Sequence, residues 1–258
     1  MKKILITGGC GFIGSNLAIF LKKKKFHVDT IDNFQRFGSK LNLKDNKKHN
    51  IKNFQKDLSK FEDLKKLPKY DIIIDCCAEP SVEASKNELD RVIDTNFLGT
   101  YNILKKCIKD KSKLIFFSSS RVYSILELKK LINKTNIVNK IKVKNEIGLN
   151  FNTNTPKSIY GFTKLASEEL IKEFSYCFGL KYIITRLGVV SGPKQMAKVD
   201  QGFFSLWIWK HLNYLPLSYI GFGGHGYQER DILHVDDLNE FVYAQILKFK
   251  TIFNVTLS

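Results

Sequence analysis

Residues 1–16, MKKILITGGCGFIGSN, constrain the fold more than any other stretch of the chain. Lys3–Thr7 is a short apolar run with the length of a buried strand, and four glycines and then an amphipathic run at 12–21 follow it. Glycines here let the backbone turn tightly and approach a ligand, and the N-terminus of a helix presents N–H groups to negative charge. Strand, glycine turn and helix in this order predict a site for the pyrophosphate of a dinucleotide.

The next apolar run, at 27–31, ends in Asp32, about twenty residues after the glycine turn, the spacing of dinucleotide-binding folds. A carboxylate at this position accepts hydrogen bonds from ribose hydroxyls and repels a 2′-phosphate, which favours NAD over NADP. Arg36 lies nearby and would favour the phosphate. From these residues alone, two alternatives stay open: a tight turn without a ligand, and an aspartate that only caps a turn.

Apolar runs alternate with helical patterns along most of the chain, which predicts an α/β fold with a Rossmann-type doubly wound parallel sheet. Further strands are predicted at 51–55, 71–76, 113–117, 182–187, 217–220 and 252–257. Further helices are predicted at 61–67, 87–109, 126–132, 158–178, 202–211 and 235–249, with a polar connection at 35–50. We expect a dinucleotide-binding domain at 1–188, then the start of a smaller substrate domain at 189–258, from which a helix and a strand return to the sheet.

Composition narrows the class of protein. A net charge of +17 is compatible with nucleic-acid binding, but the lysines are spread along the chain and no aromatic residues alternate with them as a stacking surface requires. A lysine-rich surface would also attract a polyanionic small molecule. No apolar run approaches the roughly eighteen residues of a membrane span, and no secretory signal is visible, so we expect a cytoplasmic protein. The five cysteines form no CxxC pair and predict buried reduced thiols, with no metal site.

Tyr160 and Lys164 lie four residues apart at the start of the helix predicted at 158–178, so they share one helix face. A cationic lysine beside a phenol stabilises the phenolate, which can take a proton from a sugar hydroxyl while hydride leaves the same carbon. Tyrosine and lysine at this spacing are common on surface helices. Here the preceding strand, at 113–117, is followed by the serines at 118–120, and a hydroxyl there can bind the same substrate oxygen.

These motifs together resemble the extended short-chain dehydrogenase/reductase family, and specifically its nucleotide-sugar epimerases and dehydratases. TGGCGFIGSN is similar to the family's TGxxGxxG cofactor motif, SSSRVY to its SSxxVYG strand motif, and ERDILHVDDL to its RDxxHVxD motif. The segments DNFQRFGSKLNL, SIYGFTKLASEE, AKVDQGFF and QERDILHVDDL look most like those of CDP-tyvelose and CDP-paratose 2-epimerases. The resemblance covers the whole chain.

The resemblance implies roles for individual residues. It makes Tyr160 the base and then the acid, Lys164 its partner, and Ser119 the catalytic hydroxyl, with Ser120 as the adjacent alternative. The implied cofactor-binding residues are Gly8, Gly11, Phe12, Ile13, Gly14, Asp32, Asn33, Asp57, Leu58, Ala78, Asn96, Tyr160 and Lys164. The implied substrate-binding residues are Ser120, Glu79, Gln201 and Arg230, the last as a contact to nucleotide phosphate.

The resemblance also implies a reaction. A tightly held NAD oxidises one sugar carbon to a ketone, and the same hydride returns after the sugar offers its other face, without net redox change. The implied partners are a CDP- or UDP-linked sugar and further copies of the chain in a homodimer or higher homo-oligomer, with no nucleic acid and no membrane. The implied setting is carbohydrate metabolism such as lipopolysaccharide biosynthesis. Relatives continue beyond the FNVTLS-like strand, so we expect that the substrate domain is incomplete here.

Three alternatives remain. A UDP-sugar 4-epimerase would use the same residues. A 4,6-dehydratase would carry an Asp-Glu pair after the catalytic hydroxyl, where this chain has Ser120 and Arg121. The third is an NAD-binding or RNA-binding scaffold without chemistry, which the high charge supports and the intact hydroxyl, tyrosine and lysine set opposes.

Overall fold

The computed structural model of the chain describes residues 1–81, 87–134, 147–196, 202–219, 222–226 and 230–257. Its strands are β1 (Lys3–Thr7), β2 (His27–Asp32), β3 (Lys52–Gln55), β4 (Ile72–Asp75), β5 (Lys113–Ser119), β6 (Tyr182–Leu187), β7 (Val189–Ser191), β8 (Ile232–His234) and β9 (Val255–Leu257). Its helices are α1 (Phe12–Lys23), α2 (Ser39–Lys48), α3 (Phe61–Lys65), α4 (Leu89–Ile93), α5 (Gly99–Asp110), α6 (Ile125–Lys134), α7 (Ile159–Phe178), α8 (Phe203–Leu212) and α9 (Val235–Lys248). A π-helical turn (Asp94–Leu98) joins α4 to α5, and 3-10 turns lie at Ser120–Val122 and Phe222–Gly224.

A first compact unit comprises residues 1–57, 70–77 and 188–251. Four of its strands are parallel, in the order β3-β2-β1-β4, and Ile4 of β1 pairs with Val28 of β2 and with Ile72 of β4. The chain runs from β1 outwards to β2 and β3, and then returns to the other side of β1 as β4. In open parallel sheets such a reversal marks the crevice where ligands bind, at the carboxyl ends of the strands on either side of it.

The core of this unit follows from continuous apolar strands and one-sided helices. Ile4, Leu5 and Ile6 are fully buried, and so are Leu17 and Leu21 of α1. Strands of a parallel sheet are covered on both faces and therefore consist of apolar runs, whereas α1 buries only one of its faces. Helices α2 and α9 both pack against α1.

The polar connection predicted at 35–50 is wrong, because Ser39–Lys48 forms α2. This helix has no apolar stripe, since its buried residues are Ser39, Asn42 and Asn46. A helix whose buried face is made of polar side chains gives no hydrophobic period, which is the signal that sequence analysis uses.

A second compact unit comprises residues 58–69, 78–187 and 252–258. Its parallel strands have the order β5-β6-β9, with Leu114 opposite Tyr182 and Ile183 opposite Val255. Helix α7 packs against α5 and against the π-helical turn before it. The single helix predicted at 87–109 is therefore α4, the π-helical turn and α5 in succession.

Two further details differ from the sequence expectation. Residues 217–219 are not a strand, contrary to the strand predicted at 217–220. Instead β7 and β8 form a two-stranded parallel sheet, in which Val189 lies opposite Ile232. Both compact units are discontinuous in sequence, and the division into domains at 188/189 stays a prediction. None of the helices in the described residues combines the length and apolarity that a membrane span requires.

Candidate functional site

The glycine turn (residues 8–14) of the first unit allows approaches that no side chain would permit. Gly8 has a left-handed backbone with φ of +58°. A Cβ added to Gly9 would lie 2.3 Å from Cβ of Thr30, and one added to Gly14 would lie 2.3 Å from the carbonyl oxygen of Gly8. Both distances are far below van der Waals contact, so the turn requires glycine at these positions.

The glycine turn leads directly into the N-terminus of α1. Ser15 donates its N–H to the carbonyl of Gly11 at 3.1 Å. Helical geometry leaves the preceding N–H groups, those of Phe12, Ile13 and Gly14, without an acceptor inside the helix. The first turn of α1 carries no acidic residue that would repel an anion. These N–H groups, with the helix dipole behind them, fit the pyrophosphate of a dinucleotide.

Asp32 at the end of β2 is bound to the same turn. One carboxylate oxygen accepts the N–H of Cys10 at 3.0 Å, and the other accepts that of Phe34 at 2.8 Å. Burial raises the pKa of Asp32 above its usual 3.8, and the N–H groups of Phe34, Cys10 and Gly11 oppose that rise. Each carboxylate oxygen has a second lone pair, so Asp32 can also accept ribose hydroxyls. A carboxylate held in this way fits the adenosine ribose of NAD.

Two asparagines that the sequence analysis missed hold the outer side of the glycine turn. Asn42 donates its side-chain amide to the carbonyl of Cys10 at 3.0 Å, and Asn46 donates to the carbonyl of Gly9 at 2.9 Å. Both asparagines are buried. Their spacing of four residues, which puts them on one helix face, was the signal available in the sequence.

Asn33 and Asp57, predicted to contact the cofactor, lie close together in the first unit. The amide of Asn33 donates to the carboxylate of Asp57 at 3.4 Å, and both residues are partly exposed. Leu58 is buried in the second unit, where its carbonyl accepts the amide of Asn102 at 2.9 Å. Their predicted contacts to the cofactor stay predictions.

Tyr160 and Lys164 occupy the first two turns of α7 in the second unit. Ser158 caps this helix by accepting the N–H of Gly161 at 3.0 Å. Both side chains are buried, and Nζ of Lys164 donates to the carbonyl of Phe117 at 2.9 Å. The lysine is thereby fixed against the end of β5.

Ser119 is the last residue of β5, and its hydroxyl accepts the N–H of Arg121 at 3.2 Å, which caps the 3-10 turn that follows. This turn packs against α7. A Cβ added to Gly161 would lie 2.1 Å from the carbonyl oxygen of Arg121, so the helix approaches the turn as closely as backbones allow. The fold thus brings together what we call the Ser119 corner: Ser119, the 3-10 turn and the first two turns of α7. Ser120, in the turn, is exposed.

Asn96 lies at the centre of the π-helical turn and is completely buried. Its side chain accepts the N–H of Glu79 at 2.8 Å, and donates to the carbonyl of Glu79 at 3.1 Å and to the hydroxyl of Thr163 at 3.3 Å. Asn96 therefore joins α7 to the segment that contains Ala78, which is half-buried. A structural role of Asn96 follows from these contacts, and the predicted cofactor contacts of Asn96 and Ala78 stay predictions.

The predicted substrate-binding residues Glu79 and Arg230 differ in burial. The carboxylate of buried Glu79 is hydrogen-bonded and ion-paired to Arg91, and it also accepts the N–H of Ser81 at 3.2 Å. Arg230 is exposed in the first unit, just before β8. Gln201 lies outside the described residues.

No group of three or more His, Cys, Asp or Glu side chains that could hold a metal ion occurs in the described part of the chain. All five cysteines are free thiols. Burial, and then Asp32, raises the pKa of the Cys10 thiol to about 12. Cys177 is exposed, so the prediction that every cysteine is buried is wrong for it.

The chain matches a family model, individual relatives and solved structures. Residues 4–256 match the model of the NAD dependent epimerase/dehydratase family. A dTDP-D-glucose 4,6-dehydratase of Dictyostelium discoideum is 30% identical over 92% of this chain and 54% of its own length. A CDP-paratose 2-epimerase of Salmonella typhi is 28% identical over 95% of this chain and 73% of its own length. The chain therefore spans about half of the first relative's length.

The fold has counterparts among solved structures. The structure of a UDP-glucuronic acid 4-epimerase from Bacillus cereus, in complex with UDP-glucuronic acid and NAD, aligns with a TM-score of 0.77 and 27% identity. The alignment covers 99% of this chain and 76% of that one. This likeness confirms the predicted Rossmann-type α/β fold.

Proposed function

The chain belongs to the NAD-dependent epimerase/dehydratase family, and on that premise we propose that it epimerises a nucleotide-activated sugar. The observation that carries the proposal is the Ser119 corner, where the helix that carries Tyr160 and Lys164 packs against the turn that Ser119 caps. The cofactor of the family is the one that Asp32 predicts, because a carboxylate there suits the unmodified ribose of NAD.

The predicted cofactor-binding residues contact successive parts of NAD in this proposal. The glycine turn and the first N–H groups of α1 bind the pyrophosphate, and Asp32 binds the ribose. Asn33, Asp57 and Leu58 contact the adenine side, and Ala78, Asn96, Tyr160 and Lys164 contribute to the nicotinamide side. When bound, NAD accepts a hydride from a sugar carbon and returns it.

The proton is handled by the residues of the Ser119 corner. Tyr160 takes the proton of the sugar hydroxyl while the carbon–oxygen bond becomes a carbonyl, and it returns the proton to that oxygen when the hydride comes back. Ser119 hydrogen-bonds the same oxygen. Lys164 uses one of its three N–H donors on the carbonyl of Phe117, which keeps its positive charge beside the site where the phenolate forms. Return of the hydride to the opposite face of that carbon would invert its configuration without net oxidation.

We assign the substrate to the CDP-linked class epimerised at carbon 2, as in the Salmonella relative, with Arg230 binding nucleotide phosphate and Ser120, Glu79 and Gln201 contributing to the sugar site. A UDP-sugar 4-epimerase is the second candidate, because the fold is similar to that of the Bacillus cereus enzyme. Dehydration is less well supported, since Ser120 and Arg121 follow Ser119 and supply no pair of carboxyl groups for acid and base work at neighbouring carbons.

The proposal includes a homodimer or higher homo-oligomer in the cytoplasm. The support for the oligomer is a set of exposed aromatic side chains on α5 and α7, namely Tyr101, Phe162 and Phe178. Apolar surface of this kind is typical of an interface.

Turnover of defined sugars tests the proposed function. The purified protein is incubated with NAD and with CDP-paratose, CDP-tyvelose, UDP-glucose or UDP-glucuronic acid, and NMR follows the product. We expect conversion of one of them and a loss of about 10²- to 10⁴-fold in kcat for Tyr160→Phe, because the phenol carries the proton.

The matched control is Tyr176→Phe, since Tyr176 lies on the same helix and is 89% exposed. It should retain the kcat of the unmodified protein. Absence of conversion for every sugar, or equal kcat for Tyr160→Phe and the unmodified protein, would refute the proposal. Tight RNA binding that weakens steeply with salt would favour a scaffold instead.

A further inference from the structure

Helix α7 holds the end of β5 by two successive contacts. Lys164 donates to the carbonyl of Phe117 at 2.9 Å, and one helical turn later Glu168 accepts the hydroxyl of Ser118. Ser118 and Glu168 are both buried, and Glu168 is completely so. Contacts at two consecutive residues fix both the position and the rotation of the strand end relative to the helix.

The charge of Glu168 is balanced by Arg186 of β6. Nε of Arg186 donates to the two carboxylate oxygens of Glu168 at 3.0 and 3.2 Å, and Nη2 donates at 2.7 Å. A buried carboxylate is stable only when it is paired and hydrogen-bonded, as it is here. The guanidinium fork also fixes the orientation of the carboxylate, because its donors are rigid and planar.

Arg186 also contacts residues outside β5 and α7. Its Nη1 donates to the carbonyl of Leu149 at 3.1 Å, and its guanidinium carbon lies 5.3 Å from the ring centre of Tyr123. Ser118, Glu168 and Arg186 therefore connect β5, α7 and β6 with the backbone at Leu149.

Ser119 is enclosed by these contacts. Phe117 and Ser118, the two residues before it, are bound by α7, and Arg121, two residues after it, lies against Gly161. The hydroxyl of Ser119 has little freedom to shift relative to Tyr160 while these contacts are in place.

We propose that Glu168 is a positioning residue: oriented by Arg186, it holds Ser118 and so sets the alignment of Ser119 with Tyr160. Glu168 acts through Ser118 and touches neither the substrate nor the cofactor. This inference rests on the proposed function, because alignment matters only where Ser119 and Tyr160 serve one oxygen.

Two variants and one control test the inference. Ser118→Ala removes only the hydroxyl and leaves the pair of Glu168 and Arg186 intact, so it folds even where Glu168→Gln does not. Glu169→Gln is the control, because Glu169 is the next residue of α7 and its ion pair with Lys172 is exposed. Because misplacement of a catalytic group slows chemistry more than binding, we expect kcat to fall about tenfold in Ser118→Ala and in Glu168→Gln, with KM within about twofold.

The two variants should also be coupled. The double variant should lose little more kcat than either single variant, because both act on one link: Ser118→Ala removes its donor, and Glu168→Gln removes the charge by which Arg186 orients its acceptor. Unchanged kcat in Ser118→Ala, a rise in KM alone, or additive losses would overturn the inference.

Amide hydrogen exchange, measured without substrate, separates this inference from the proposed function. Exchange at residues 119–122 should accelerate in Ser118→Ala and stay unchanged in Glu169→Gln. If the unmodified protein converts no sugar, the proposed function fails. Amide exchange still tests whether Glu168 holds residues 119–122. Faster exchange confined to these residues in Ser118→Ala supports that role, and unchanged exchange overturns it.

Discussion

The glycine turn of the first unit and the Ser119 corner of the second unit are held in different ways. The carbonyls of the glycine turn are bound by neutral amides, those of Asn42 and Asn46. The strand that ends in the Ser119 corner is held by Glu168, whose charge is paired with Arg186. The carbonyls of the glycine turn are held by uncharged amides, its N–H of Cys10 is held by the carboxylate of Asp32, and the strand before the Ser119 corner is held by a buried ion pair.

The proposed ligands explain this difference. The carbonyls of the glycine turn need a donor, which an ionised carboxylate lacks, and an amide donates to them without adding charge beside the anionic pyrophosphate. The group proposed to bind at the Ser119 corner is a neutral sugar hydroxyl. The charges of Glu168 and Arg186 do not disturb such a neutral group, because they are paired and buried. The rigid guanidinium of Arg186 also orients the carboxylate of Glu168 more firmly than an amide would.

The largest effects are expected when one glycine of either region is replaced by alanine, which adds a single methyl group. In Gly14→Ala, the new Cβ would lie 2.3 Å from the carbonyl oxygen of Gly8. We expect the Kd for ADP-ribose, which probes the adenosine half of the site, to rise about 100-fold because the turn must shift. Titration calorimetry measures this Kd.

Gly161→Ala is the corresponding change at the Ser119 corner, where the new Cβ would lie 2.1 Å from the carbonyl oxygen of Arg121. It should lower kcat by about 100-fold, since a 1 Å misplacement can cost that much, and leave the Kd for ADP-ribose nearly unchanged. Gly99→Ala, whose Cβ would lie 3.3 Å from Cβ of Leu58, is the control. If Gly14→Ala and Gly161→Ala raise the Kd for ADP-ribose equally, the two regions are not separable.

A smaller effect is expected when an amide of the first region is removed. Asn46→Ala leaves the carbonyl of Gly9 without its amide donor in a buried site. We expect the free energy of unfolding to fall by about 1–3 kcal/mol and the Kd for ADP-ribose to rise about tenfold. Denaturant unfolding and calorimetry measure the two quantities.

Lys47→Ala is the matched control, because Lys47 is the next residue of α2 and is exposed. It should change neither the free energy of unfolding nor the Kd. Equal effects of the two substitutions would mean that the amide of Asn46 does not hold the turn.

The smallest expected effect concerns pH. Burial raises the pKa of Asp32 above 3.8, so its carboxylate is protonated at a higher pH than that of an ordinary aspartate. Affinity for ADP-ribose should therefore fall as the pH is lowered from 8, and the fall should begin at a higher pH than an aspartate of ordinary pKa would give, because a protonated carboxyl accepts fewer hydrogen bonds. Fluorescence titration at each pH measures the change.

Asp32→Asn serves as the reference for this pH dependence. It should bind ADP-ribose more weakly at pH 8 and show no fall between pH 8 and pH 5. A fall of the same size in Asp32→Asn would place the titrating group elsewhere.

The sequence alone predicted the elements whose signals are local. Strand β1, the glycines after it and α1 follow from an apolar run, from backbone freedom and from amphipathic spacing. Helix α7, predicted at 158–178, runs from Ile159 to Phe178 in the structure. Tyr160 and Lys164 could be found because they lie four residues apart on that helix.

Tertiary structure alone decided which polar residues hold these elements. Asn42 and Asn46 stand in a polar stretch that also suits a surface connection, and Glu168 looks like any glutamate on a helix. Their partners lie far away in sequence: Gly9 and Cys10 for the asparagines, and Ser118 and Arg186 for Glu168. Local periodicity records which residues are apolar, but it holds no information about which distant carbonyl, hydroxyl or guanidinium a buried polar side chain will meet.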